Sequence, residues 1–114
     1  MPTATCHCGA VRVTVPRAPW AVNNCGCSIC RRYGALWTYY RASTVRIEAG
    51  PNATRAYAWG RKTIRFVRCA TCGCVMCWQW VSPRPDRKMG VNARNFEPEV
   101  LRSLRRRHAE RMAG

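Results

Sequence analysis

The chain has 114 residues, 47% of them hydrophobic, and carries 20 Lys and Arg against five Asp and Glu, for a formal net charge of +15. The hydrophobic content excludes an intrinsically disordered chain, and the length predicts a single domain over residues 1–114. The basic field would attract nucleic acid, membrane surfaces or anionic small molecules, but charge alone identifies none of them.

The pattern of apolar residues predicts a mainly β fold. Val11 to Val15 alternates strictly between apolar and polar residues, which is typical of a half-buried strand. Further strands are predicted, in chain order, over residues 36–41, 45–47, 63–68, 75–81 and 89–93.

One or two short helices complete the predicted elements. One helical turn is expected from Ser28 to Arg32. Another helix is expected to begin near Glu97 and Pro98, because proline suits the first helical position, and to include Leu104. The arginines that follow predict a basic C-terminal tail over residues 105–114.

The N-terminal segment indicates in which cellular compartment the protein is expected. Met1 to Thr5 holds no apolar run of the kind that begins a secretory signal, and the longest nearly apolar stretch, residues 33–40, is too short to cross a bilayer. We therefore expect a cytoplasmic protein that does not associate with membranes and whose thiols stay reduced. The sequence leaves open whether it is a monomer or a homodimer.

Nine cysteines, most of them in three short clusters, are the strongest chemical signal in the chain. Cysteines one to three residues apart on tight turns favour a shared metal ion over disulfide bonds, which need a specific separation of their Cα atoms. The cysteines are Cys6 and Cys8; Cys25, Cys27 and Cys30; and Cys69, Cys72, Cys74 and Cys77.

The spacing divides seven of these cysteines between two predicted zinc sites. Cys6 and Cys8 form one pair and Cys69 and Cys72 another, and together they make a closed site with four thiolates, as in structural zinc. Cys25, Cys27 and Cys30 supply three thiolates and leave one position open, which is typical of catalytic zinc.

Cys74 and Cys77 leave an alternative open. Either cysteine can be a fourth ligand that closes the three-cysteine site and makes it inert, or both can be free, partly buried thiols. On an extended strand the two side chains would point to opposite faces, so at most one is expected to reach the ion.

Three segments carry a resemblance to a known family. They run from Cys6 to Val11, from Cys25 to Arg32 and from Arg68 to Cys74, and the stretch from Met89 to Arg94 adds a fourth. The chain resembles, from about residue 4 to 105, the glutathione-dependent formaldehyde-activating family, which also contains the centromere protein V domain. The resemblance implies a β-tent domain related to zinc ribbons, with structural and catalytic zinc on the two cysteine sets described above.

The resemblance also implies a reaction, the joining of glutathione and formaldehyde by a carbon–sulfur lyase. We therefore expect two zinc ions, a thiol co-substrate such as glutathione, a small aldehyde adduct, and Cys25, Cys27 and Cys30 as the catalytic ligand set. Arg31 and Arg32 are the predicted partners of the glutathione carboxylates, although they fit exposed charges on a short helix equally well.

Other residue types leave the chemistry less defined. The aromatic residues are candidates to line the pocket, although so many are more often core; they are Tyr33, Trp37, Tyr39 and Tyr40. No side chain stands out as a general acid or base. The alternative function is therefore a non-catalytic, zinc-stapled binding module whose basic surface contacts nucleic acid non-specifically or binds acidic partners.

Overall fold

The structure is a computed structural model that describes residues 1–102 and 104–108, and within these ranges it is mainly β, as predicted. One α-helix, α1 (Ser28–Tyr33), and 3-10 helices over Ala42–Thr44, Ala93–Asn95 and Pro98–Leu101 accompany the strands. The strands are β1 (Thr3–Thr5), β2 (Val11–Thr14), β3 (Ala21–Asn24), β4 (Trp37–Arg41), β5 (Arg46–Ala49), β6 (Thr54–Tyr57), β7 (Ile64–Cys69), β8 (Val75–Trp80), β9 (Lys88–Asn92) and β10 (Arg105–His108).

The described strands form two sheets. The smaller sheet has the order β1-β2-β5 and the larger has the order β10-β3-β4-β9-β8-β7-β6. All neighbouring strands are antiparallel except β10, which lies parallel to β3. Because side chains alternate along each strand, the seven-stranded sheet has two chemically different faces.

One face of the seven-stranded sheet packs on the three-stranded sheet. Val11 and Val13 of β2 are fully buried there, together with Val91 of β9 and Cys77 of β8. Their register explains the shared face, because Cys77 lies directly opposite Val91. This layer is the main hydrophobic core.

The opposite face carries α1 and a second, smaller apolar cluster. Trp37 of β4 and Phe66 of β7 are buried in it, with ring centroids 6.1 Å apart. Cys30 of α1 packs against them. The helix ends at Gly34, whose positive φ of 66° lets its N–H reach the carbonyls of Cys30 and Arg31.

Gly90 in β9 makes room for an indole on this outer face. It lies between Tyr39 of β4 and Trp78 of β8 in the strand register, and the Trp78 ring occupies the space where a Cβ of residue 90 would stand. The indole thereby crosses β9 and meets the Tyr39 ring at a centroid distance of 6.5 Å. Residue 90 must be a glycine because the Trp78 indole lies so close to its backbone.

Replacement of Gly90 by alanine is expected to lower the free energy of unfolding by about 1–3 kcal/mol, because the new methyl group displaces the Trp78 indole. Urea denaturation followed by tryptophan fluorescence measures the change. Gly50→Ala is the matched control, since a Cβ at residue 50 meets nothing within 4 Å. Equal stability of the two variants would contradict this reading of Gly90.

Each predicted strand is present within one or two residues of its predicted bounds, but four strands were not predicted: β1, β3, β6 and β10. They lack a clear alternating pattern and are defined by their partners. β3, for example, reads Ala21 to Asn24, and β10 consists of three arginines and a histidine.

The predicted helix at Glu97 is wrong in type and extent. Pro98–Leu101 is a 3-10 helix, and the chain then leaves it to form β10 beside β3. A helix this short is marginal by itself, whereas β3 offers an open edge for pairing. Of the predicted tail, residues 109–114 lie outside the described residues.

Candidate metal centres

Four cysteine sulfurs meet where the β1–β2 turn touches the β7–β8 turn. Cys6 and Cys8 come from the first turn, Cys69 is the last residue of β7, and Cys72 lies in the second turn. All four Sγ atoms lie within 4.8 Å of one another, and those of Cys8 and Cys69 are 3.6 Å apart. The fold therefore joins two cysteine pairs that are 61 residues apart in sequence.

Tight turns aim the sulfurs of this four-cysteine cluster. Gly9 and Gly73 hold positive φ angles of 85° and 80°, a conformation that suits glycine. The Gly9 N–H donates to the Cys6 carbonyl at 3.1 Å, and the Gly73 N–H donates to the Cys69 carbonyl at 3.0 Å. The first turn thus closes over three residues and the second over four, and in each a glycine follows the second cysteine of the pair.

Backbone N–H groups also point at the sulfurs. The Val11 N–H donates to Cys6 Sγ at 3.3 Å, and the N–H groups of Thr71 and Cys72 donate to Cys69 Sγ at 3.4 Å. Such donors favour the thiolate over the thiol. N–H groups of Cys74 and Cys8 accordingly lower the pKa of Cys72 to about 5.

The Cys8 sulfur contrasts with that of Cys72, because hydrogen bonds among the neighbouring sulfurs favour its thiol form. The Ala10 N–H lowers the pKa of Cys8, but hydrogen bonding to Cys69 and burial outweigh it and raise that pKa to about 11. Four closely spaced sulfurs with oriented N–H donors are a donor set that fits a tetrahedral zinc ion.

Three further sulfurs meet on the outer face of the seven-stranded sheet. Cys25 and Cys27 lie between β3 and α1, and Cys30 lies in α1. Their Sγ atoms all lie within 4.8 Å of one another. Cys30 is buried, at 7% exposure, whereas Cys25 and Cys27 are only partly buried. One side of this three-cysteine cluster therefore faces the protein and the other faces solvent.

The helix and one indole hold this cluster in place. Cys27 is the N-cap of α1, and its carbonyl accepts the Arg31 N–H at 3.0 Å. The Trp37 indole N–H donates to Cys30 Sγ at 3.3 Å. Burial raises the pKa of Cys30. For Cys27, burial also acts to raise the pKa, but hydrogen bonds from the Cys30 thiol and N–H outweigh it, and the pKa is lowered.

Among the side chains that the structure describes, those of residues 1–102 and 104, no His, Asp, Glu or further Cys joins these three sulfurs as a fourth ligand. Cys77 is fully buried on the opposite face of the sheet, where burial raises its pKa to about 12. Cys74 lies in the β7–β8 turn, hydrogen-bonded to Cys72 of the four-cysteine cluster. The alternation of side chains along β8 keeps Cys77 away from the three-cysteine cluster, and its position in the turn keeps Cys74 away from it.

The aromatic residues proposed from the sequence divide between the two faces. Tyr33, Trp37 and Tyr39 pack in the apolar cluster beside Cys25 and Cys27. Tyr40 does not line this site, because it is the next residue along β4 and faces the main core. Phe66 and Trp78 also line the site. No local sequence pattern indicates that role, because only the strand register brings the two residues there.

Arg31 and Arg32 lie exposed on α1, beside the cluster in sequence. The Arg32 guanidinium donates through Nη1 to the Ser28 carbonyl at 2.9 Å. Their binding of substrate carboxylates stays a prediction.

Comparisons with known proteins match nearly the whole chain. The family model described as glutathione-dependent formaldehyde-activating enzyme matches residues 1–108. A crystal structure of a Rhodobacter sphaeroides protein is 32% identical, with a TM-score of 0.73, and the match covers 92% of this chain and 99% of that one. None of the curated proteins compared matches the chain. No helix among the described residues is long and apolar enough to span a membrane.

Proposed function

The chain belongs to the glutathione-dependent formaldehyde-activating family, and from this premise we propose that it is a zinc-dependent carbon–sulfur lyase. It binds a thiol such as glutathione beside Cys25, Cys27 and Cys30, and it forms or cleaves the bond between that sulfur and the carbon of a small aldehyde. Structural zinc is held by the four-cysteine cluster.

The observation that supports this proposal most is the asymmetry of the three-cysteine cluster. Three sulfurs within 4.8 Å face one another, two of them partly exposed, and no fourth ligand joins them from the described side chains of residues 1–102 and 104. Zinc held by three protein ligands keeps one position for an exchangeable ligand and lowers the pKa of a thiol bound there.

The chain's own residues orient and shield the reacting groups. The Trp37 N–H fixes Cys30, and the rings of Tyr33 and Tyr39 exclude water from one side. The Tyr39 hydroxyl oxygen accepts the Asn23 side-chain N–H at 3.0 Å, so its own O–H remains to donate to a substrate oxygen. Arg31 and Arg32 offer paired N–H donors to the carboxylates of the thiol.

The proposed reaction balances without a redox partner. In the forming direction the thiol releases its proton to solvent, its sulfur bonds to the aldehyde carbon, and the former carbonyl oxygen gains a proton to become a hydroxyl. In the cleaving direction the same bond breaks and the protons return. The reaction requires no general acid or base with a strongly shifted pKa, which suits a chain with only five acidic residues.

The purified protein is expected to accelerate the condensation of glutathione with formaldehyde above the spontaneous rate. Proton NMR of the S-hydroxymethyl product measures it in both directions. Buffer with the same zinc concentration is the control, because free zinc also binds thiols. A rate equal to that control, with glutathione and with smaller thiols, would refute the proposed activity.

A further inference from the structure

We propose that this protein also binds single-stranded nucleic acid on the outer face of its seven-stranded sheet. The surface concerned, here the aromatic-basic face, is defined by Trp20, Tyr39, Trp78, Trp80, Arg84, Arg87 and Lys88. It lies beside the three-cysteine cluster and includes none of the cysteines.

Three aromatic rings follow one another across this face. Tyr39 and Trp78 have centroids 6.5 Å apart, and Trp78 and Trp80 have centroids 5.5 Å apart. The Trp80 indole N–H donates to the Lys88 carbonyl at 2.9 Å, which fixes the ring across β8 and β9. Trp20 is 67% exposed, an unusual position for so large an apolar side chain.

Cations accompany the rings. Lys88 Nζ is 5.6 Å from the Tyr39 centroid, and the guanidinium carbons of Arg84 and Arg87 are 4.9 Å and 5.4 Å from the Trp80 centroid. Stacking holds these groups in position, while their outer N–H donors stay available to an anion. Asp86 lies between the two arginines in sequence and is exposed.

Two neighbouring cavities lie along this face. The first, of about 210 Å³, is lined by Arg17 and Trp20 and shares Tyr39 and Lys88 with the second, of about 220 Å³. A larger cavity, of about 410 Å³, also meets Trp80 but is lined by Ile47 and Met89 from the main-core side, so it lies outside this face. No Asp or Glu is among the described residues that line the two cavities of this face.

This combination favours single-stranded nucleic acid over the other acidic partners. A chain with 20 cations and five carboxylates leaves most cations without an internal counterion, so a polyanion is the complementary partner. An acidic peptide would pair with the cations but would leave the exposed aromatic rings without a partner. A duplex hides the faces of its bases, whereas unpaired bases stack on aromatic rings and guanidinium planes.

Fluorescence anisotropy with a labelled, mixed-sequence oligodeoxynucleotide of about 12 nucleotides tests the proposal. The single strand is expected to bind more tightly than the duplex of the same sequence. Trp20→Ala is expected to weaken binding at least about fivefold. Arg84→Gln combined with Arg87→Gln is expected to weaken it and to reduce the slope of log affinity against log salt by about 1.4.

Arg12→Gln combined with Arg46→Gln is the matched control. It removes the same charge from exposed positions of the three-stranded sheet and is expected to change affinity less than about twofold. Circular dichroism checks that all variants stay folded. Equal weakening by the control pair, tighter binding of the duplex, or competition by polyglutamate without any effect of Trp20→Ala would each overturn the proposal.

Discussion

Replacement of Cys69 by serine is expected to unfold the protein or to leave it barely stable at 25 °C. Cys69 is 1% exposed, and its sulfur lies 3.6 Å from that of Cys8, across 61 residues of sequence. By analogy with a disulfide, closing a loop of that length stabilises the fold by about 4 kcal/mol. Zinc in a four-thiolate site contributes more, so its loss removes a large share of a typical total of about 5–15 kcal/mol.

Thermal denaturation followed by circular dichroism, with zinc content measured on the same samples, checks this result. Cys74→Ser is the matched control, because Cys74 lies in the same turn but is not one of the four clustered sulfurs. The control is expected to keep its zinc and its melting temperature. A folded Cys69→Ser variant with full zinc content would show that the four-cysteine cluster is not a structural metal site.

Replacement of Cys27 by serine is expected to abolish the proposed lyase activity while the fold persists. Cys25, Cys27 and Cys30 lie within six residues, so a metal that joins them closes only a short loop and adds little to stability. The partly exposed sulfur of Cys27 is replaceable without opening the core. Loss of an electrostatic contribution of several kcal/mol lowers the rate about 1,000-fold, to the background rate.

The measurement pairs the glutathione–formaldehyde assay with metal analysis. Cys27→Ser is expected to fall from two bound zinc ions to one and to keep its circular dichroism spectrum, while Cys74→Ser keeps both ions and full activity. If Cys27→Ser unfolds as Cys69→Ser does, the three-cysteine cluster is structural and the proposed catalytic role is wrong.

Much of the site follows from local spacing. Ligands one to three residues apart lie on one turn, so the pairs around Cys6 and Cys69 and the triplet that starts at Cys25 are legible before any fold is known. The same four and the same three sulfurs meet in the structure. The alternating strand at Val11 is predictable for the same reason, because its pattern is contained within five residues.

The strands that lack an alternating apolar pattern could not be predicted from local spacing. β3 and β10 are defined by the backbone of a neighbour, and Arg105–His108 gives no sign that it pairs with Ala21–Asn24. The helix predicted at Glu97 fails for the same reason. A propensity of a few residues is weak beside the hydrogen bonds that an open sheet edge offers.

The sequence by itself determined that this chain is mainly β, strongly basic and built around clustered thiols, because those properties depend on composition and on neighbours along the chain. Only the tertiary structure decided which thiols stay apart. Cys77 faces the main core, because alternation along β8 turns it away from Trp78 and from the three-cysteine cluster. The register through Gly90 likewise brings Tyr39 and Trp78 together from distant segments, and composition carries no information about such pairings.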